Sequence, residues 1–333
     1  MYIIKDNKPE KIEETTFKEL NKLESDLEEL LRQNIDMICD TDESSMLVVG
    51  QQVRNESNGR SDLTAVDNEG NIILIEIKRD VDDIIHRKES FEFQAIRYAA
   101  NCASIQSTDE LIQKIYSPYI EKHKEEFQTE YDNGLTSVEI AKRKLSDFFS
   151  TVGNPTFNKK QRIFLVASNF DEQTLSAVAW LNSNNVDISC YQILPHCLDG
   201  NVLIDIKKVL PLDKYEDYYV KVASSSQSNS KSKSSVSSDI TRRNFPRIEK
   251  LLEDGVVKAG DIIIAKSTTE EAVLQSDGRV KLNDGTIKTL AKWLKDIYGW
   301  SAVQTYVFAI RKEDGKSLSE LREAAYMNEN ETM

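Results

Sequence analysis

An aspartate at 62, a glutamate at 76 and a lysine at 78 form the grouping in this sequence best suited to chemistry. Asp62 opens a short apolar run, Asp67-Asn68-Glu69-Gly70 supplies a tight turn, and Ile75-Glu76-Ile77-Lys78 closes the return, so a hairpin is expected. Side chains alternate along a strand, which puts Glu76 and Lys78 on one face, roughly 7 Å apart, with Asp62 able to reach that face from the partner strand. Two carboxylates about 4 Å apart repel by about 4 kcal/mol at an effective dielectric of about 20, a cost that a cation between them removes. Magnesium takes oxygen ligands at about 2.1 Å and keeps several waters, so Asp62, Glu76 and the backbone carbonyl of Ile77 are the expected ligands, with Mn2+ as a substitute for Mg2+. Lys78 would orient or deprotonate an attacking water and offset charge on a phosphorane-like transition state. The plainer alternative, a Glu76–Lys78 ion pair on a solvated strand, is disfavoured because Ile72-Ile73-Leu74-Ile75 is apolar on both faces and reads as a central strand.

These side chains need elements to hold them. Leu20, Leu23, Leu27, Leu30 and Leu31 recur at spacings of three and four, predicting an amphipathic helix over residues 17–34 with Glu24 and Glu28 one turn apart beside its apolar face. Strands are expected at 46–53, 61–66 and 71–77. A helix over 87–103 would carry Phe91, Ala95, Tyr98, Ala99 and Cys102 on one side, with Gln94 and Tyr98 a turn apart and able to face the same site. Residues 104–157 are charged and periodic and read as a helical insertion. A strand at 161–167, a helix at 171–182 and a strand at 186–194 complete the expected α/β arrangement.

In this setting the Asp62…Glu76-Ile77-Lys78 pattern resembles that of the PD-(D/E)XK nuclease superfamily. Gln94 and Tyr98 form a QxxxY motif similar to that of its RecB-like and NucS-like branch, and Glu24 matches the first-helix glutamate that such families use as an additional metal or water contact. The superfamily's proline is absent, Ser61 standing before Asp62. The resemblance covers residues 17–103 and, more loosely, 161–194. It implies a restriction-endonuclease-like mixed sheet flanked by helices and a Mg2+-dependent deoxyribonuclease. The implied catalytic set is Asp62, Glu76, Lys78, Gln94, Glu24 and Tyr98. Arg60 and Arg79 are candidate phosphate contacts, whereas Lys159, Lys160 and Arg162 read as a solvated basic run.

The stretch 222–240, mostly serine, has almost no apolar side chain to offset the entropy of ordering and reads as a flexible linker spanning on the order of 25 Å. It separates domains at 1–221 and 241–326. The second is expected to be a small α+β unit: a helix stopping at Gly255, strands at 261–265 and 270–274, turns at Asp277-Gly278 and Asn283-Asp284-Gly285, a helix over 289–298 and a closing strand at 305–310. With Gly299-Trp300 and the ending Gly315-Lys316-Ser317-Leu318-Ser319-Glu320-Leu321-Arg322, this order resembles the RAMA domain (restriction enzyme and adenine methylase associated). That resemblance implies a DNA-reading module, base modification being one signal it would sense. Trp293, Trp300 and Tyr306 are candidates to stack on a base, although aromatics in so small a unit are more often its core.

Across 333 residues, 39% hydrophobic and 30% charged composition is that of a globular chain able to bury a core, and no apolar run approaches the ~20 residues of a membrane helix. The N-terminus lacks the pattern of a secretory signal, so a cytoplasmic protein without a membrane partner is expected. Cys39, Cys102, Cys190 and Cys197 form no CxxC pair and should be reduced thiols, and His86, His123 and His196 have no zinc-site spacing. A net charge of −13 argues against bulk electrostatic binding of nucleic acid, so DNA would be reached through a local basic face and bound cations. The expected function is a DNA endonuclease of restriction or antiviral defence, a homodimer being the assembly that would let two sites cut two strands. A DNA repair nuclease, or a catalytically silent DNA-binding protein of the same fold, are the alternatives.

Overall fold

The computed structural model describes residues 2–5, 7–12, 15–39, 44–54, 59–80, 89–211 and 245–331, which fold as a mixed α/β protein. The chain divides into two compact units, Met1–Pro211 with Ala291–Thr305, and Leu212–Leu290 with Tyr306–Met333. The serine-rich stretch expected to link two domains, 222–240, lies outside the described residues. Among the described residues no helix is long and apolar enough to cross a membrane.

In the first unit a small antiparallel hairpin, β1 (Tyr2–Lys5) with β2 (Lys8–Lys11), precedes a six-stranded sheet. The sheet is built from β3 (Met46–Arg54), β4 (Arg60–Asp67), β5 (Ile72–Lys78), β6 (Gln161–Ala167), β7 (Ile188–Leu198) and β8 (Asn201–Leu210), arranged in that order. β3, β4 and β5 are antiparallel, β5, β6 and β7 parallel, and β8 returns antiparallel. Every residue of β5 is buried, as its apolar run required of a central strand. Parallel neighbours need crossovers. The first contains α2 (Phe91–Ala103), short helical segments within 108–132 and α3 (Ser137–Val152); the second is α4 (Glu172–Ser183), whose Asp171 cap accepts the N–H groups of Gln173 and Thr174. The insertion expected over 104–157 is therefore helical.

The turn between β4 and β5 forms for local reasons. Asp67 Oδ1 accepts the N–H groups of Glu69 and Asn71, each at 2.9 Å, and Gly70 takes a positive φ of 83°. A Cβ at Gly70 would lie 2.9 Å from the Thr156 carbonyl oxygen, so glycine is needed on two counts.

In the first unit several expected element bounds shift. The helix expected over 17–34 is confined to α1 (Glu24–Gln33), because Asn21 adopts φ 54° and the Leu23 N–H donates to the Asp26 carboxylate to start a new helix. Leu27 and Leu31 are buried, while Leu23 is 60% exposed. α2 starts at Phe91, residues 89–90 being outside the helix, and the expected residues 87–88 lie outside the described residues. β7 begins at Ile188 and continues to Leu198 to pair with β8, which was not anticipated. Asp199-Gly200, both at positive φ, is the hairpin turn between them.

The second unit carries an antiparallel sheet of β9 (Ile262–Ala265), β10 (Glu271–Leu274), β11 (Val280–Lys281), β12 (Ile287–Lys288) and β13 (Ala309–Arg311), ordered β12-β11-β10-β9-β13. It is accompanied by α5 (Ile248–Glu253) and, near the C-terminus, Leu318–Glu331. The strand expected from residue 305 is replaced at first by a helical turn, Thr305–Phe308, and only Ala309–Arg311 is extended. Tyr306 turns into the unit: its hydroxyl accepts the Ile248 N–H at 3.0 Å, and the buried Arg322 guanidinium lies 3.9 Å from its ring centroid.

Candidate active site

The registers of the central strands create the site. Leu63 pairs with Ile75 across β4 and β5, so one step further along the two strands Asp62 comes opposite Glu76, on the face that Lys78 also shares. There the ladder ends, and the Asp62 carboxylate itself accepts the Ile77 N–H at 2.7 Å. The side chain thus serves as acceptor where a strand carbonyl would otherwise stand, which fixes its orientation. Glu76 is fully buried, and Asp62 is half-buried with its side chain 13% exposed.

Lys78 is 1% exposed. Its ammonium donates to Glu24 Oε1 at 3.2 Å and to the Ile77 carbonyl, lies 3.8 Å from Asp62 Oδ2, and sits 5.4 Å from the Phe91 ring centroid. Burying a lone ammonium is costly, and two carboxylates, a carbonyl and an aromatic face offset that cost here. The structure therefore brings Glu24, Asp62, Ile77 and Lys78 together, with Glu76 beneath.

Glu28, one turn beyond Glu24, is the more deeply placed of the two helix acids at 3% exposure. Burial holds its carboxyl above the usual carboxylate range; the amide of Gln52, donating at 3.0 Å, opposes that shift, and the charge of Asp62 adds to it. Gln52 reaches Glu28 from a left-handed backbone, φ 55°, on a strand already kinked by a bulge between Val48 and Gly50. The helical spacing marked Glu28 as a neighbour of Glu24, but nothing in the sequence signalled Gln52.

Tyr98 and Gln94 lie on α2. Tyr98 is buried, and its hydroxyl accepts the Arg60 N–H at 3.1 Å, tying α2 to the start of the strand that carries Asp62. Gln94 is half-buried on the preceding turn of the same helix. The helical insertion is anchored to α1 nearby: buried Arg32 forms ion pairs with Glu29 and Glu126, and Gln51 accepts hydrogen bonds from Lys122 and bonds to His123 at 2.9 Å.

An oxygen-only set of Asp62, Glu76 and the Ile77 carbonyl suits a hard divalent cation, and a fully buried glutamate opposite a second acid is the feature such an ion would balance. Among the described residues no three His, Cys, Asp or Glu side chains converge into a metal cage, so a cation here would rely on two carboxylates, one carbonyl and water. Of the other residues picked out, Arg79 is engaged by Asp80 at 3.0 Å and Arg162 by Asp67 and Asp187, both at 3.1 Å; Lys159 and Lys160 are exposed. Trp293 and Trp300 are buried, 1% and 6% exposed, Trp300 packing edge-on against Phe148. No protein-family model matches the chain, and no curated protein does.

Proposed function

We propose that this chain is a Mg2+-dependent deoxyribonuclease that hydrolyses DNA phosphodiester bonds, its first unit a restriction-endonuclease-like core of PD-(D/E)XK type. The observation that carries the reading is a buried lysine ammonium held between Glu24 and Asp62, beside a fully buried Glu76. A structural ion pair has no need of a third, deeply buried acid on the same face. Asp62, Glu76 and the Ile77 carbonyl would hold the ion, which when bound supplies Lewis-acid stabilisation of the phosphoryl group. Lys78, already positioned by Glu24 and Asp62, orients the attacking water and offsets the negative charge that develops as it adds. Tyr98 fixes the strand that presents Asp62, and Gln94 lies a turn away to contact substrate.

Residues 241–326 are read as a RAMA-like module that recognises DNA, including modified DNA, and the setting as cytoplasmic restriction or antiviral defence, with a homodimer as the assembly that cuts both strands. The test is to incubate modified and unmodified DNA with the protein in Mg2+, Mn2+ or EDTA, beside Lys78→Ala. Cleavage should need the cation and be lost with Lys78. Cleavage that survives EDTA or the substitution overturns the mechanism, and tight binding by wild type without cutting identifies a silent DNA-binding protein instead.

A further inference from the structure

Arg54 on β3 lies directly opposite Arg60 on β4. Both are exposed, and among the described residues neither guanidinium has a hydrogen-bond or ion-pair partner. Other arginines of this unit are engaged: Arg32 by Glu29 and Glu126, Arg79 by Asp80, Arg97 by Glu89 at 2.6 Å, and Arg162 by Asp67 and Asp187. In a chain of net charge −13, two exposed arginines paired directly across two strands are out of keeping with the rest of the surface. Like charges directly across an antiparallel pair destabilise it.

The juxtaposition is built by the backbone. Met46 pairs with Asp67 and Val48 with Ala65, but after the bulge Gly50 pairs with Thr64, so the register has slipped by one residue. Without the slip Arg54 would face Gly59. Arg60 is also two residues from Asp62, on the same face of β4, and its N–H is held by the Tyr98 hydroxyl. The repelling pair therefore borders the candidate site on a fixed piece of backbone.

We infer that Arg54 and Arg60 together hold one backbone phosphate of the DNA strand, next to the phosphodiester presented to Asp62 and Glu76. Two planar forks of donors match the oxygens of a phosphodiester, and an anion between them removes their mutual repulsion. This inference rests on the deoxyribonuclease reading and gives its acidic surface a local means of engaging DNA.

Arg54→Gln, Arg60→Gln and the double variant, each as the full chain, should be compared with wild type for binding a labelled DNA duplex in EDTA between about 50 and about 200 mM salt. Cleavage should be followed in Mg2+. The double variant should bind about tenfold more weakly, with a salt slope shallower by about 0.9 for the lost phosphate contact. Its cleavage loss should appear in KM, with kcat retained. Arg54→Gln should melt at or above the wild-type temperature, since a repulsion is removed. Wild-type binding, slope and KM in the double variant would overturn the inference and leave the nuclease reading intact. A lowered melting temperature in Arg54→Gln would equally overturn it, by showing a structural role. Failure of wild type both to bind and to cut DNA would remove both.

Discussion

A lysine that is 1% exposed is not on the chain to keep it in solution. Its ammonium is held by acids that would otherwise repel one another, so removing it changes both the charge balance and the position of any water beside it. If the deoxyribonuclease reading holds, Lys78→Gln, which removes the charge and slightly shortens the side chain, is expected to lower the cleavage rate by about 10²–10⁴-fold, as loss of a positioned proton-handling group does, while far-ultraviolet circular dichroism stays unchanged. Glu28 offers a second residue-level test. Its carboxyl is raised by burial, so the folded protein binds a proton there over a window in which the unfolded chain has lost it. Stability from this group falls as pH rises from the ordinary 4.5 through the raised folded value, and above that value the penalty of burying the charge is fully present. Glu28→Gln should therefore be more stable than wild type towards urea at about pH 8, with the gain shrinking at about pH 4. Equal midpoints at the higher pH would show that Gln52 compensates the burial completely.

At the scale of elements, legibility followed how directly each feature depends on local sequence. β5 was plain because Ile72-Ile73-Leu74-Ile75 leaves no polar face, and the β4–β5 hairpin because Asp67 and Gly70 each do what their residue types do in turns. The shared face of Glu76 and Lys78 followed from alternation, and Asp62 joins it through the β4–β5 register. β8 was obscure because its residues are mostly half-exposed and follow no clean alternation, although Asp199-Gly200 marked its turn. The start of α1 was misplaced because Leu20 and Leu23 continue the helical spacing, while the left-handed Asn21 breaks it. The Arg54–Arg60 pair was illegible in principle, since it depends on a one-residue slip that no propensity announces. Gly70→Ala tests the hairpin: a left-handed alanine pressed against the Thr156 carbonyl should cost about 1–3 kcal/mol in urea denaturation, and a loss of only a few tenths would mean that the turn relaxes freely.

At the scale of the molecule, the four cysteines report on how the folded chain shields its interior. Cys39, Cys102 and Cys190 are buried and Cys197 is exposed, all as free thiols. Burial pushes the Cys102 thiol up to about 11 and that of Cys190 to about 12, so neither is a thiolate at neutral pH. A thiol-reactive dye should label Cys197 rapidly in the native protein and the other three only in denaturant, read by mass spectrometry of peptides. Rapid native labelling of Cys190 would mean that the central sheet opens far more readily than its packing implies.

The first unit also draws on residues distant in the chain. The edge strand β3 is met by the segment at 301–302: Met46 and Ala302 exchange backbone hydrogen bonds at 3.0 Å, and the Val48 N–H donates to the Ser301 hydroxyl at 2.9 Å. This matters for synthesis. When residue 211 leaves the ribosome, the strap for that edge has yet to be translated, and at about 5–20 residues per second its arrival is on the order of ten seconds away. During that interval a nascent sheet presents unpaired backbone on β3, the kind of edge on which another chain can template. A gene truncated in the serine-rich stretch would make that interval permanent. Its product should go to inclusion bodies or chaperones, where the intact chain would not.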